Sequence, residues 1–207
     1  MSSHRIWISA CALSAAALCR ETAADAPAAE YSTDSPIGLM RSFEAAYEGR
    51  DLTTYAELFT ADFRFFPSDA EVQLRHPVWT RVDEIASADH LFHGFTDAGG
   101  TYRPPAASIE LSLEPHALRA DPEHLDSTAY YQVYEAPSIV LQVVTTAGDH
   151  FIERQRHDYY VVRGDAAVLS PDQERSIDRW YIRKWVENPQ WGSYVSWGDP
   201  DRVASEP

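Results

Sequence analysis

From Ser108 to Val186 the apolar residues fall at every second position in stretch after stretch, and this alternation constrains the fold more than any other feature of the chain. Ile109, Leu111 and Leu113 alternate with Glu110, Ser112 and Glu114, the pattern of a strand with one face in a core and the other in water. "AYYQVYE", "SIVLQVVTT", "FIERQRHDYYVVR" and "RWYIRKWV" follow, each rich in β-branched and aromatic residues that suit a pleated surface. Gly148 and the pair Gly164-Asp165 punctuate the series as turns, so "RGD" at 163–165 reads as a hairpin turn rather than an adhesion motif.

Ahead of this series the period is helical. Ser35-Pro36 supplies an N-cap and a proline at the first helical position, where its missing N–H costs nothing. Ile37, Met40, Phe43, Ala46 and Tyr47 then form one apolar stripe as far as Gly49, with Arg41, Glu44 and Glu48 on the polar side. Leu52, Tyr55, Leu58 and Phe59 predict a short second helix, and "TADFRFF" a first strand. Thr80 and Asp83 form a capping-box pair that opens a third helix, with Val82, Ile85, Ala86, Leu91 and Phe92 as its apolar residues and Gly94 near its end. Helices followed by a strand series make the class α+β, with three N-terminal helices packed on a curved, mainly antiparallel sheet.

The first residues follow another logic. His4 and Arg5 precede an apolar and small-residue run from Ile6 to Cys19, and the chain turns polar at Arg20, the order of an export signal. Both cysteines, Cys11 and Cys19, lie in this segment, so the folded body offers no thiol for a disulfide, a nucleophile or a metal. Two processing routes remain open: cleavage after Ala24 or Ala26, or lipid attachment at Cys19. The expected divisions are residues 1–30 as export signal and linker, 31–187 as one domain, and 188–207 as an aromatic tail carrying Trp191, Tyr194 and Trp197. The expected location is therefore the periplasm or cell envelope, with membrane contact only through the Cys19 anchor. With 17 Lys and Arg against 32 Asp and Glu, the net charge of -15 repels phosphate backbones and speaks against nucleic-acid binding.

"SPIGLMRSFEAAYEGRDLTTYAELFTADFRFFP", "WTRVDEIASADHLFHG", "VVRGD" and "RWYIRKWVE" together resemble the NTF2-like (SnoaL-like) superfamily over about residues 34–187, with uncharacterised bacterial exported or lipoprotein members as the nearest match. The resemblance implies a cone with a pocket between the helices and the concave sheet face, often in a homodimer. It suggests a small apolar ligand, with Phe43, Tyr47, Phe65, Tyr159 and Trp185 as pocket residues. Isomerases of this group use an aspartate base and an oxyanion-binding tyrosine. An ungapped match puts Phe43 in the tyrosine's place and Pro67 in the base's, and neither can do that chemistry. A shared fold carries no activity with it.

The remaining chemistry candidates are His90, His93, Asp69 and His157. His90 and His93 share a helix face at i, i+3, with Asp89 in reach of His93 at i, i+4. The sequence names no third ligand to join them, and "HLFH" lacks the spacing that places a base between two zinc ligands, so no metal and no cofactor are expected. The simpler role for the pair is a helix end where a cation favours the dipole. On the strand 151–163, Glu153, Gln155 and His157 share one face and Arg154, Arg156 and Asp158 the other, so one face could give a pocket a polar lining. Trp185 and Tyr181 fall on one face of the last strand by the same count and are expected to pair in the core. The leading expectation is a non-catalytic exported domain that binds a small ligand or a protein partner. The alternative is a small hydrolase, dehydratase or isomerase using a histidine or aspartate as general base.

Overall fold

The computed structural model of the chain describes residues 32–67, 78–148, 150–164 and 178–188. Helix α1 (Pro36–Gly49) starts where the sequence places it, with the Ser35 side chain accepting from the Gly38 N–H, and it ends at Arg50, which takes the left-handed conformation. Helix α2 (Leu52–Glu57) is capped by Asp51. Strand β1 (Phe59–Phe66) and the short β2 (Trp79–Thr80) lead to helix α3 (Arg81–His93), which opens on the Thr80–Asp83 capping box in both directions. The face that α3 buries differs from the expected stripe: Glu84, Ala88, Leu91 and Phe92 are buried, whereas Val82 is 74% exposed and Ala86 faces water.

A two-residue pair, β3 (Phe95–Thr96) and β4 (Tyr102–Arg103), follows α3. The main sheet then continues through β5 (Ala106–Ser112), β6 (Ala117–Ala120), β7 (Tyr131–Thr145), β8 (His150–Arg163) and β9 (Trp180–Asn188). Its spatial order is β2-β1-β9-β8-β7-β5, with β6 also on β7. Every pairing is antiparallel except β1 with β9, so the fold is α+β with a curved, mostly antiparallel sheet. The two runs read as separate strands around Ala136-Pro137 are one strand, β7, interrupted by a register shift between Ala136 and Ile139. Proline has no N–H to give a ladder, and a bulge is where a sheet tolerates it. The connection from β8 to β9 runs from Gly164 to Arg179, longer than the tight Gly-Asp hairpin read from the sequence; Asp165 itself lies outside the described residues.

Leu39, Met40, Phe43, Tyr55, Phe59, Phe63, Leu91, Phe92, Ile109, Ile139, Tyr159 and Ile182 make one core between the helices and the sheet. Helix α1 also closes an open edge. The Glu44 and Glu48 carboxylates accept from the Leu113 and Leu111 N–H groups at 2.7 and 2.8 Å, pairing one donor on the outermost strand β5 and one just past its end. These glutamates, which the sequence assigns only to a polar helix face, thus satisfy strand groups that would otherwise invite another chain.

Strand β9 overturns one expectation. Its register on β8 shifts between the Tyr160–Lys184 and Val161–Ile182 pairs. Trp180 and Ile182 face the main core before the shift, Trp185 packs against that core after it, and Tyr181 packs on the other side with Val162 and Tyr131. A register slip of one residue exchanges the two faces of a strand. Tyr181 and Trp185 are therefore not a core pair, and Trp185 and Glu187 line one cavity.

Candidate functional site

The inner face of β8 presents Glu153, Gln155, His157 and Tyr159 in order, and the helices cover it from above. A bent strand leans the side chains of its concave face toward one another. The β7 bulge lies directly opposite this stretch, since Ala136 pairs with His157 and Ile139 with Gln155; bulges bend and twist a strand locally. Beside it, His157 pairs across the ladder with Glu187 of β9. The result is a cluster: the His157 Nε2 atom lies 3.8 Å from Glu153 Oε1 and 3.9 Å from Glu187 Oε1.

These groups line a cavity of about 80 Å³. Phe43 and Tyr47 of α1, Phe65 of β1, Tyr159 of β8 and Trp185 of β9 line its apolar side, so the structure gathers all five pocket residues named from the sequence. Phe43 and Tyr47 stack at 6.0 Å, and the other ring pairs are tilted or edge to face, with Phe65 and Trp185 centroids 4.7 Å apart and Tyr159 and Trp185 5.2 Å apart. Glu84 and Ser87 of α3 add a second polar side.

Burial governs the charges here. The lining contains no lysine or arginine among the described residues. Loss of water pushes the Glu153 and Glu84 carboxyls up to about 7, and in Glu84 a hydrogen bond from Tyr55 partly opposes that rise. The same desolvation pushes His157 down to about 3, so its imidazole is neutral. His157 Nδ1 lies 3.2 Å from the Tyr159 hydroxyl, while Nε2 has no hydrogen-bond partner although the residue is 2% exposed. The Gln155 amide and the indole N–H groups of Trp79 and Trp185 are likewise buried without partners. Each such group costs about 1–3 kcal/mol if left unmade, so the interior holds hydrogen-bonding capacity that this fold does not use.

The other sequence candidates fall elsewhere. His90 and His93 are both exposed on α3: His90 stacks on Phe95 at 4.2 Å, and His93 pairs with Asp89 at 2.7 Å. Neither lines the cavity that His157 lines. Asp69 lies outside the described residues, as do the leader with Cys11 and Cys19 and the aromatic tail. Two site residues escaped the sequence reading. Glu187 had a signal, because it stands two positions after Trp185 on the same face. Glu84 also had one, because it interrupts the helix face completed by Ala88 and Leu91.

No family model matches the chain, and no curated protein sequence matches it. Among solved structures, the chain is similar to a candidate aromatic ring hydroxylase from Novosphingobium aromaticivorans, with a TM-score of 0.50 at 13% identity over 75% of this chain and 88% of that one. It is also similar to an NTF2-like superfamily protein from Salmonella enterica serovar Typhimurium, with a TM-score of 0.47 at 12% identity over 78% of this chain and 91% of that one. An NTF2-like protein of unknown function in nutrient uptake from Rhodospirillum rubrum gives a TM-score of 0.47 at 16% identity over 74% of this chain and 96% of that one. At these identities the likeness concerns the overall α+β fold alone.

Proposed function

We propose that this chain is an exported pocket protein that binds one small, partly apolar molecule inside the cone. One observation carries the reading: the aromatic residues Phe43, Tyr47, Phe65, Tyr159 and Trp185 line the same cavity as the polar groups Glu84, Glu153, His157 and Glu187. Pockets of this kind fix an apolar body with a few convergent polar atoms. Cavities for drug-sized molecules run to roughly 300–1,000 Å³, so about 80 Å³ suits a small molecule or the end of a larger one. The partnerless indole N–H groups favour a ligand with an acceptor atom, and the carboxyl groups favour one that also donates. The order of residues 4–26 supports export, with Cys19 as the atom for a lipid anchor.

The test is thermal-shift and native mass spectrometry of the full chain against small phenols, alcohols and amines. One ligand per chain, with a raised Tm that Ser87→Trp abolishes by filling the cavity, is the expected result. A panel that leaves Tm and mass unchanged overturns the reading.

A second reading, a small hydrolase, dehydratase or isomerase, is favoured by the convergence of His157 with Glu153 and Glu187 beside the apolar wall. It would show as turnover of a bound ligand that Glu153→Gln abolishes while binding persists.

A further inference from the structure

We propose that Glu153, His157 and Glu187 form a binding site for one divalent first-row cation, Zn²⁺ or Mn²⁺, in the cavity they line. The ligand atoms of these three side chains all lie within 4.8 Å of one another. Two donors on one such ion, each about 2.0–2.1 Å from it, sit roughly 3.0–3.5 Å apart, so the 3.8 and 3.9 Å separations need only a small inward movement of two flexible glutamates. The inference deepens the reading of the cone as a working pocket and rests on that reading only for what reaches the open side of the ion.

Two further observations point to a cation rather than to a plain acidic cluster. First, His157 Nε2 is buried, has no hydrogen-bond partner and faces the two carboxylates. Its nearest acceptors are too distant for a hydrogen bond, so a proton on Nε2 would be orphaned, whereas a lone pair there is free to ligate. Second, Nδ1 lies 3.2 Å from the Tyr159 hydroxyl, which can accept its proton and fix that tautomer. Metal-bound histidines almost always have their other nitrogen held in this manner.

The donor set narrows the ion. One imidazole nitrogen with carboxylate oxygens suits zinc or manganese, while calcium and magnesium prefer all-oxygen sites. Three protein ligands on two adjacent strands leave further coordination positions directed at the aromatic wall, the layout of a site that holds water or a ligand on the metal.

The experiment titrates the EDTA-treated full chain with ZnCl₂ and MnCl₂ by calorimetry, in excess Mg²⁺ so that surface carboxylates do not register, with metal content checked by mass spectrometry. One ion per chain is expected. Because loss of a mere supporting hydrogen bond typically weakens a metal site about 10–100-fold, Tyr159→Phe should do the same here, and His157→Gln or Glu187→Gln should weaken binding by more than about 100-fold. His93→Ala, exposed on α3 and outside this cavity, should leave affinity unchanged. No stoichiometric binding, or binding that His157→Gln leaves intact, overturns the proposal. If a variant fails to fold by circular dichroism, Co²⁺ absorption of the unsubstituted protein decides. Intense bands of a four- or five-coordinate ion support the site, and the weak bands of a hydrated ion sink it. The organic-ligand panel is run on metal-free protein, so failure of the pocket reading and failure of the metal site are separately visible.

Discussion

The Tyr55 hydroxyl donates a 2.7 Å hydrogen bond to the Glu84 carboxylate, and neither side chain reaches water to any extent, with exposures of 0% and 7%. Helices α2 and α3 are thereby joined through one buried contact. Tyr55→Phe leaves the carboxylate short of its donor, which should cost about 1–3 kcal/mol of stability in urea denaturation at neutral pH. A loss below about 0.5 kcal/mol would show that the contact is not holding the helices together.

The same pair sets a pH dependence. Burial raises the Glu84 carboxyl from its ordinary 4.5 to about 7, despite the opposing Tyr55 hydrogen bond. Between those values the folded chain holds a proton that the unfolded chain has released. Glu84's contribution is therefore present in full below about pH 4.5, declines as pH rises, and is lost above about pH 7, a change of about 3 kcal/mol. Glu84→Gln removes this titration, so its stability relative to the unsubstituted chain should improve as pH rises from about 5 to about 8. A difference between the two proteins that stays flat over that range would contradict the raised carboxyl. In Tyr55→Phe the opposing hydrogen bond is gone, and the window should extend to higher pH.

Much of this arrangement was legible in the sequence, because period and capping act locally. Ser35-Pro36, the Thr80–Asp83 box and the inner face of Glu153, Gln155 and His157 are each where local spacing puts them. Bulges are not local in that sense. Nothing in "RWYIRKWVE" marks the register shift that separates Tyr181 from Trp185, and without it Glu187 would count onto the wrong face relative to Tyr181. Pro137 was a visible sign of the β7 irregularity, but its consequence, the convergence of Glu153 with His157, depends on the strand opposite. Glu84 escapes a sequence reading because a charged residue on a helix is ordinarily assigned to water, and a hydrogen bond from Tyr55 on another helix makes its burial tolerable.

Gly94 ends α3 with φ 76° and ψ 165°, a region essentially closed to other residues. A Cβ there would sit 2.8 Å from the Arg103 carbonyl oxygen and 2.9 Å from both the Tyr102 hydroxyl and Pro105 Cδ. Gly94→Ala thus combines backbone strain with a clash against the main chain, and should cost about 1–3 kcal/mol in thermal or chemical denaturation. Unchanged stability would mean that the β3–β4 pair can move away freely.

His90 and His93 give the opposite expectation. The His93–Asp89 pair is exposed, at 59% and 51% of the side chains, and exposed i, i+4 pairs contribute only about 0.3–0.5 kcal/mol. His93→Ala should therefore change stability by no more than that, and neither His90→Ala nor His93→Ala should alter ligand affinity. A binding defect in either variant, measured by calorimetry on folded protein, would return these histidines to the site.

Trp185 separates packing from hydrogen bonding in the cavity wall. Its ring packs against Phe65 at 4.7 Å, Tyr159 at 5.2 Å and His157 at 5.2 Å, while its buried indole N–H has no partner. Trp185→Ala removes the ring and should cost about 3–5 kcal/mol, as large aromatic deletions in cores do. Trp185→Phe keeps most of the packing and also deletes an unsatisfied donor, so two opposing effects meet, and its loss should be well under half that of the alanine variant. For a ligand that accepts from the indole, affinity should drop about tenfold in Trp185→Phe, the equivalent of one ordinary hydrogen bond. Calorimetry on both variants checks this. If Trp185→Phe destabilises as much as Trp185→Ala, the indole N–H has a partner in the folded protein and is not a free donor for a ligand.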